Sequence, residues 1–297
     1  MTSAPREAER RDGGSKRSDG GSSRTPSKLD QAEQDQAAEH SAPPAVVIHE
    51  IVRHDGEEEL ERGAGAIVWS GLAAGLSMGF SFLGVALIRS ALPETPAHVL
   101  IDGAGYGVGF VIAVLGRQEL FTESTLTAVL PVLVRRNLAT LLALLRFWGF
   151  VLLANIAGTL IVARLLAIDG LFADPVRVAL IGLARDSVSG PFWPTLVKAV
   201  LAGWLIALMV WLLPSAKSAR LFVIILLTYF VAIGRFSHII AGSVEAFYAM
   251  FVGEASARDY FVGFFLPTIV GNTIGGVALV ALLNHAPLAP ELRDEEA

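Results

Sequence analysis

Cysteine is absent from the 297-residue sequence, and its absence removes several kinds of chemistry at once. Disulfide bonds, thiolate metal ligands and thiol nucleophiles are all excluded. The apolar segments also hold no cluster of metal ligands, and no nucleophile and base at a recognisable spacing. We therefore expect no catalytic residues, no metal site and no cofactor, and an enzyme is the least favoured class.

We also expect no cleavable secretory signal, because the first 20 residues are polar and contain no apolar core. Charge is sparse, at 17% of residues, and the net charge of −5 belongs to residues 1–62, which hold nine basic and 14 acidic residues. This segment has too few large apolar residues to offset its chain entropy by burial. We expect a disordered cytoplasmic tail over residues 1–62, a short acidic cytoplasmic tail over residues 286–297 and no nucleic-acid partner.

One stretch of the predicted tail is less polar than the rest. Between residues 45 and 60, apolar side chains such as Val47, Ile48 and Ile51 could form a short amphipathic helix. Because the pattern is weak, we favour a solvated segment with only a transient helix.

Apolar residues are abundant: they make up 53% of the chain, and the mean hydropathy is +0.57. Several apolar runs exceed the ~18 residues that identify a transmembrane helix. We predict an all-α, multi-pass protein of the lipid bilayer, with a channel domain over residues 63–285. The six predicted spans cover residues 64–88, 99–134, 138–168, 191–213, 221–252 and 259–284, with an external connection over residues 169–190.

The second and fifth predicted spans are interrupted at their centres by polar residues. Each break begins with a Gly-Arg pair, at Gly116-Arg117 and Gly234-Arg235, and the two pairs lie 118 residues apart. Interrupted spans at corresponding places in two halves of a chain are typical of a transport site. Three spans in each half force the second half to enter from the opposite face, so we predict two inverted three-helix repeats.

The loop charges predict the orientation. Arg135, Arg136, Lys217 and Arg220 lie in short loops on one side, together with both termini, whereas the arginines of the opposite loops are diluted by acids. The positive-inside rule then places both termini in the cytoplasm. The expected location is the plasma membrane, which is the inner membrane in a bacterium.

His238 is the only one of six histidines that lies inside an apolar span. Its position in a broken helix favours a pore-lining role over that of a buried structural histidine. Thr122 and Ser124 occupy the matching break, where their hydroxyls could donate to an anion or cap the following half-helix. Ser237, next to the histidine, is a further polar candidate for the pore.

Arg117 and Arg235 are predicted to brace the two breaks through ion pairs. Glu119, Glu123 and Glu245 are the candidate partners, since unpaired charges are rarely tolerated at this depth. Bracing of the loops is therefore the favoured role for these charged groups.

Two further features of the apolar spans bear on conduction. Lys198, near the middle of the fourth span, could raise the local anion concentration or extend to the headgroups. Leu120 and Phe121 stand in the first break, and an apolar pair in such a loop would form a constriction that excludes water.

These residues together carry a resemblance. The sequence is similar to the formate/nitrite transporter family over residues 63–284, through ELFT at 119–122, Gly-x-x-x-His at 234–238, Lys198, and GNTIGG at 271–276. The form GRQELFTES, at residues 116–124, resembles a less characterised branch of that family. The resemblance implies a homopentamer of aquaporin-like protomers, each with its own pore for small monovalent anions of weak acids.

The resemblance also implies residue roles. By that match, His238 is the central pore histidine and Thr122 its loop partner, while Leu120 and Phe121 form the constriction on the cytoplasmic side. The other implied pore residues are Lys198 and Asn272, with Tyr106 and Phe230 as external aromatic gates.

The breaks also depart from the family pattern. Ser237 stands where an acid is usual, Gly242 replaces an asparagine, and the acid Glu123 follows ELFT in place of a small residue. The favoured function is a channel or transporter for anions such as formate, nitrite or acetate, with proton coupling left open. A water or neutral-solute channel is the nearest rival, although neither break contains Asn-Pro-Ala, and a non-conducting membrane scaffold or regulator is the third reading.

Overall fold

The computed structural model describes residues 43–93, 95 and 97–282, and every regular element in that part of the chain is a helix. Residues 1–42 of the tail predicted for residues 1–62, and the whole tail predicted for residues 286–297, lie outside the described residues. The first half comprises α1 (Ala45–Glu61), α2 (Ala64–Ala91), α3 (His98–Leu115), α4 (Phe121–Thr127), α5 (Leu130–Arg135) and α6 (Leu138–Leu166). The second half comprises α7 (Asp174–Val188), α8 (Phe192–Ala216), α9 (Arg220–Ile233), α10 (Ile239–Phe251) and α11 (residues 259–282).

The membrane-spanning elements follow the predicted order. Within the described residues, five helical stretches are long and apolar enough to cross a membrane, one of them running continuously through α8 and α9, and the shorter apolar helix α10 completes the set. Each half contains a long helix, a broken helix and a second long helix. This all-helical architecture, with broken second and fifth spans, confirms the predicted fold class, and the elements accommodate the six predicted spans.

The two breaks have the same backbone geometry. Helix α3 ends at Leu115 and α4 begins at Phe121, just as α9 ends at Ile233 and α10 begins at Ile239. The arginine after each glycine has a positive φ, 53° in the first break and 48° in the second. Non-glycine residues rarely adopt this left-handed conformation. The backbone therefore has the same turn at both breaks, in agreement with the internal repeat that the Gly-Arg pairs indicate in the sequence.

Small residues bring the long helices into close contact. A Cβ atom at Gly75 of α2 would overlap the backbone carbonyl of Asn155 on α6, and one at Gly203 of α8 would overlap the carbonyl of Asn272 on α11. Close backbone approach through small residues is a common way for helices to associate in a membrane. The two contacts occupy equivalent places in the two halves.

The disordered tail predicted for residues 1–62 is wrong for residues 45–61, which form α1. Val52 and Leu60 are buried, and the helix packs against α4, α5, α6 and α8. Gly56 lies so close to the backbone of Thr127 that a Cβ atom there would overlap it. Packing of one face against the domain stabilises a helix whose own pattern is weak.

The connection predicted over residues 169–190 also contains more structure than expected. It includes the 15-residue helix α7, which packs against α2 and α10. Pro175 near its start supplies a favourable first turn, and Leu180 and Ala184 are fully buried against those neighbours. Helix α7 thereby forms part of the wall around the second break.

Candidate transport site

The centre of the domain is a hydrogen-bonded pair from the two breaks. His238 Nε2 lies 2.8 Å from Thr122 Oγ1, and both side chains are buried. The backbone N–H of Ala241 donates to His238 Nδ1 at 3.2 Å, so the histidine caps the start of α10. Because Nδ1 accepts that bond, the neutral ring carries its proton on Nε2, which donates to Thr122. The structure thus brings together the two residues that the sequence placed in matching breaks.

Two asparagines clamp the breaks in place. Asn272 Oδ1 accepts from the N–H of Ile239 at 2.8 Å, and its Nδ2 donates to the carbonyls of Ala199 and Ser237 at 2.8 and 2.9 Å. These bonds occupy the side-chain amide. Asn272 is fully buried and lines neither cavity described below. In this structure it positions the loop of the second break, and its predicted role in the pore stays a prediction.

The matching residue in the first half, Asn155, was missed in the sequence. Its Oδ1 accepts from the N–H of Phe121 at 2.9 Å, and its Nδ2 donates to the carbonyls of Gly71 and Glu119, each at 2.8 Å. A signal for it was present, because Asn155-x-x-Gly158 recurs as Asn-x-x-Gly 117 residues later. The two clamps show that the internal repeat extends beyond the breaks to their supports.

Two cavities approach the central pair from opposite sides and share no lining residue. One, of about 290 Å³, is lined by Lys198, Tyr106, Ser237 and His238, and we call it the Lys198 cavity. The other, of about 650 Å³, is lined by Glu123, Leu120 and the inner face of α1, and we call it the Glu123 cavity. Ser237 and Lys198, two of the polar residues predicted to line the pore, therefore face the Lys198 cavity.

Apolar and aromatic side chains surround the central pair, and we call them the apolar barrier. The ring of Phe110 packs edge-on against His238 with centroids 5.0 Å apart and contacts Tyr106 at 5.3 Å. Leu120 and Phe121 are buried, and Phe121 packs against Trp148 at 5.7 Å. A passage lined in this way excludes water and hydrated ions.

The structure does not bring Phe230 to this barrier. Its side chain is 50% exposed on the outer surface of α9, and it lines neither cavity. The broken-helix turn places the next aromatic, Phe236, in the Lys198 cavity instead. Ser124 lines the Glu123 cavity, and its hydroxyl donates to the carbonyl of Leu120 at 3.3 Å.

The ion pairs differ from the bracing that the sequence predicted. Glu119 pairs with Arg62, which follows α1, and Arg235 pairs with Asp186 of α7 at 3.4 Å. Arg117 forms no ion pair within the described residues and lines the Glu123 cavity. Glu119 and Glu123, the acids near it in sequence, line the same cavity but form no ion pair with it. The partners come from segments far along the chain, which spacing alone does not reveal.

A carboxylate of α1, that of Glu59, contacts the end of α4. Thr127 Oγ1 donates to Glu59 Oε2 at 2.6 Å. Withdrawal from bulk water raises the pKa of Glu59, and the neighbouring Glu119 carboxylate raises it further. The stability contributed by protonated Glu59 is thus present at low pH and is lost as the pH rises through its elevated pKa.

The ion pair between Arg62 and Glu119 gives a stability prediction. We expect a double-mutant cycle of Arg62→Gln and Glu119→Gln, measured by unfolding in detergent, to give a coupling energy of about 1–2 kcal/mol, because Glu119 is largely withdrawn from water. The same cycle on Arg177 and Asp169, an exposed pair, should give a value near zero. Equal coupling in the two pairs would mean that α1 is not held by this contact.

The fold and the site together define a class of protein. A helical membrane protein in which two broken spans meet at a buried polar pair, with a cavity on each side, has the architecture of a membrane channel or transporter. The family model described as formate/nitrite transporter matches residues 46–286, and the chain belongs to that family. The family resemblance carried by the sequence motifs is thereby confirmed.

Curated relatives agree with this assignment. The chain is 41% identical over 251 residues to inner membrane protein YfdC of Escherichia coli (strain K12), covering 84% of this chain and 81% of that protein. It is 26% identical to nitrite transporter NirC of the same organism, covering 67% and 76% of the two chains, and 25% identical to formate channel BtFdhC of Bacillus thuringiensis, covering 80% and 93%.

A solved structure shares the fold. A pentameric formate channel with formate bound superposes with a TM-score of 0.66 at 19% identity, and the match covers 76% of this chain and 98% of that one.

Proposed function

We propose that this protein moves small monovalent anions of weak acids, such as formate, nitrite or acetate, across a bacterial inner membrane. The observation that carries the proposal is the buried pair of His238 and Thr122, which closes a passage between two cavities, one of them containing Lys198. Relatives named as a formate channel and a nitrite transporter support the substrate class. The fold shared with a pentameric channel supports a homopentamer in which every protomer has its own pathway.

The charges around the cavities favour an anion that crosses in neutral form. Lys198 has no ion pair within the described residues, so its ammonium is available to attract an anion into the Lys198 cavity. Beyond it, Phe110, Leu120 and Phe121 form an apolar barrier in which an unpaired charge is costly. A weak acid that takes a proton before the barrier passes as a neutral molecule. A strong-acid anion such as chloride gains nothing from this route.

The orientation follows from the loop charges. Lys217 and Arg220 line the mouth of the Glu123 cavity, and α1 covers it. The positive-inside rule then assigns this cavity to the cytoplasmic side, with both termini, and the Lys198 cavity to the outer side. Under this assignment the pathway runs from Lys198 past His238 to Glu123.

Transport in liposomes tests the proposal. We expect purified protein in liposomes to admit formate, nitrite and acetate at rates well above those of protein-free liposomes, measured by stopped-flow swelling together with an internal pH dye. Chloride and glycerol should enter at the protein-free rate. Fast glycerol or water entry without anion entry would favour a neutral-solute channel, and inertness toward every solute would favour a scaffold.

Attraction of the anion by Lys198 has its own test. We expect Lys198→Gln to slow formate entry about tenfold at 10 mM salt and by a much smaller factor at 500 mM, because exposed charges are screened over ~10 Å at 0.1 M salt. Lys217→Gln at the other mouth is the matched control, and it should leave entry from the outer side near the wild-type rate. Equal losses at both salt concentrations would mean that Lys198 acts by packing.

A further inference from the structure

We infer that two carboxyl groups, Glu245 and Glu123, exchange the transported proton with the weak acid on opposite sides of the barrier. This inference rests on the proposed function and adds the residues that carry its proton. The two groups stand one in each cavity, with the pair of His238 and Thr122 between them.

The hydrogen bonds of His238 oppose its acting as the proton donor or acceptor for the substrate. Its Nε2–H is directed at Thr122, and its Nδ1 accepts the N–H of Ala241. A proton added at Nδ1 would face that backbone N–H and break the cap of α10. A proton lost from Nε2 would leave an anionic ring in an apolar barrier. The histidine is therefore held neutral and acts as a polar contact for the passing molecule.

One of the three carboxyl groups that line the Lys198 cavity has no ion pair or side-chain hydrogen bond within the described residues. Asp102 is held by Arg89 at 2.7 Å, and Asp186 by Arg235 at 3.4 Å. Glu245, on α10, has no ion pair and no side-chain hydrogen bond within the described residues. It is thus the carboxyl group of this cavity that is free to meet a solute.

The Glu123 cavity contains a second such group. Glu119 pairs with Arg62, and Glu59 accepts from Thr127. The Oε1 atom of Glu123 is buried and has no hydrogen-bond partner among the described residues. An unpartnered buried oxygen at the wall of a cavity indicates a position that a transient partner occupies.

Other charges act on both groups. Glu245 shares its cavity with Arg89 of α2, Tyr106 of α3, Asp186 of α7, Lys198 of α8 and Arg235 of the second break. Glu123 shares its cavity with Asp55, Glu58, Glu59 and Arg62 of α1 and its C-terminal end, Arg117 and Glu119 of the first break, and Lys217 and Arg220 before α9. Cations lie in both cavities, and a nearby cation stabilises the ionised form of a carboxyl group.

Glutamate is chemically matched to the proposed substrate. Glutamate and substrates such as formate or acetate both carry a carboxyl group, so a proton can pass directly between their oxygens across one hydrogen bond. A carboxyl group can therefore load the proton on one side and recover it on the other.

The proton is conserved through the cycle. In the outer cavity the O–H bond of protonated Glu245 breaks, and an O–H bond forms on the substrate anion. Glu245 is left as a carboxylate and takes a new proton from water. The neutral acid crosses the barrier and gives its proton to the Glu123 carboxylate, and Glu123 then releases it to water on the inner side. One anion and one proton have crossed together.

Glutamine variants test this assignment in liposomes. We expect Glu245→Gln and Glu123→Gln each to slow formate entry at pH 7 by about tenfold or more, and much less at pH 5, where undissociated acid is far more abundant than at pH 7. Glu245→Asp keeps a carboxyl group and should restore a large part of the rate. Glu254→Gln, which alters an exposed partner of Arg185, is the matched control and should behave as wild type.

Two other outcomes distinguish a failure of this inference from a failure of the proposed transport function. Glutamine variants that match wild type in both rate and pH profile, while wild type transports formate, would overturn the roles of Glu245 and Glu123 and leave the proposed function standing. Wild-type protein that moves no weak acid would overturn both. Elution of each variant as the wild-type oligomer shows that the comparison is made on folded protein, and a variant that fails this check is replaced by the alanine form at the same position, which also lacks a carboxyl group.

Discussion

His238→Phe is expected to slow weak-acid flux at least about 30-fold while the protein still folds and assembles. The substitution leaves the Thr122 hydroxyl without its partner and lines the centre of the barrier with rings alone. A polar molecule that passes without a compensating hydrogen bond loses at least ~2 kcal/mol, which is about 30-fold in rate. Liposome flux measured by stopped-flow swelling checks the result.

Two further variants show how the histidine acts. His54→Phe, on the exposed face of α1, is the matched control and should transport at the wild-type rate. His238→Asn keeps a side-chain oxygen that can cap α10 and should preserve more stability than the phenylalanine variant. Wild-type flux with an unchanged pH profile in His238→Phe would reduce the histidine to a structural residue.

Loss of either asparagine clamp is expected to have the largest effect on stability. Asn155→Leu and Asn272→Leu each remove three hydrogen bonds and leave buried backbone groups without partners. At about 1 kcal/mol for each bond, plus the cost of the unsatisfied groups, we expect a loss of about 3–5 kcal/mol. Chemical unfolding in detergent measures it.

The control for the clamps is a third asparagine. Asn137 caps the start of α6 through a bond to Thr140 at 2.8 Å, so Asn137→Leu should cost only about 1 kcal/mol. If Asn155→Leu and Asn272→Leu cost no more than this control, the breaks are held by other contacts. In that case the paired hydrogen bonds would be consequences of the fold and not its supports.

The sequence was sufficient for the parts of the site that have a local signal. A glycine followed by an arginine in the middle of an apolar run predicts a break, and the repetition of that pair predicts two related breaks. His238 and Thr122 were identifiable because polar residues are rare in such spans. The structure places both breaks where these residues indicated them.

The parts that escaped prediction depend on tertiary contacts. Asn155 is a buried polar residue in a long helix, and in the sequence only its correspondence with Asn272 distinguishes it from other polar residues of that helix. Arg62 lies in a segment whose own composition favours disorder, yet it pairs with Glu119, 57 residues along the chain. Phe230 was assigned to the pore through the family resemblance, but the register of α9 places it on the outer surface. In each case the deciding factor is which surface the helix packs against.

The membrane potential provides the most direct test of the central claim, that the anion crosses together with a proton. Initial formate entry is measured in liposomes whose potential is set to 100 mV of either sign, with protein-free liposomes subtracted. Our account predicts equal rates, because no net charge crosses. Uncoupled anion transport would respond to the potential, since moving one charge through 100 mV is worth ~2.3 kcal/mol, or about 50-fold in accumulation at equilibrium. Entry that is faster when the inside is positive would contradict the account.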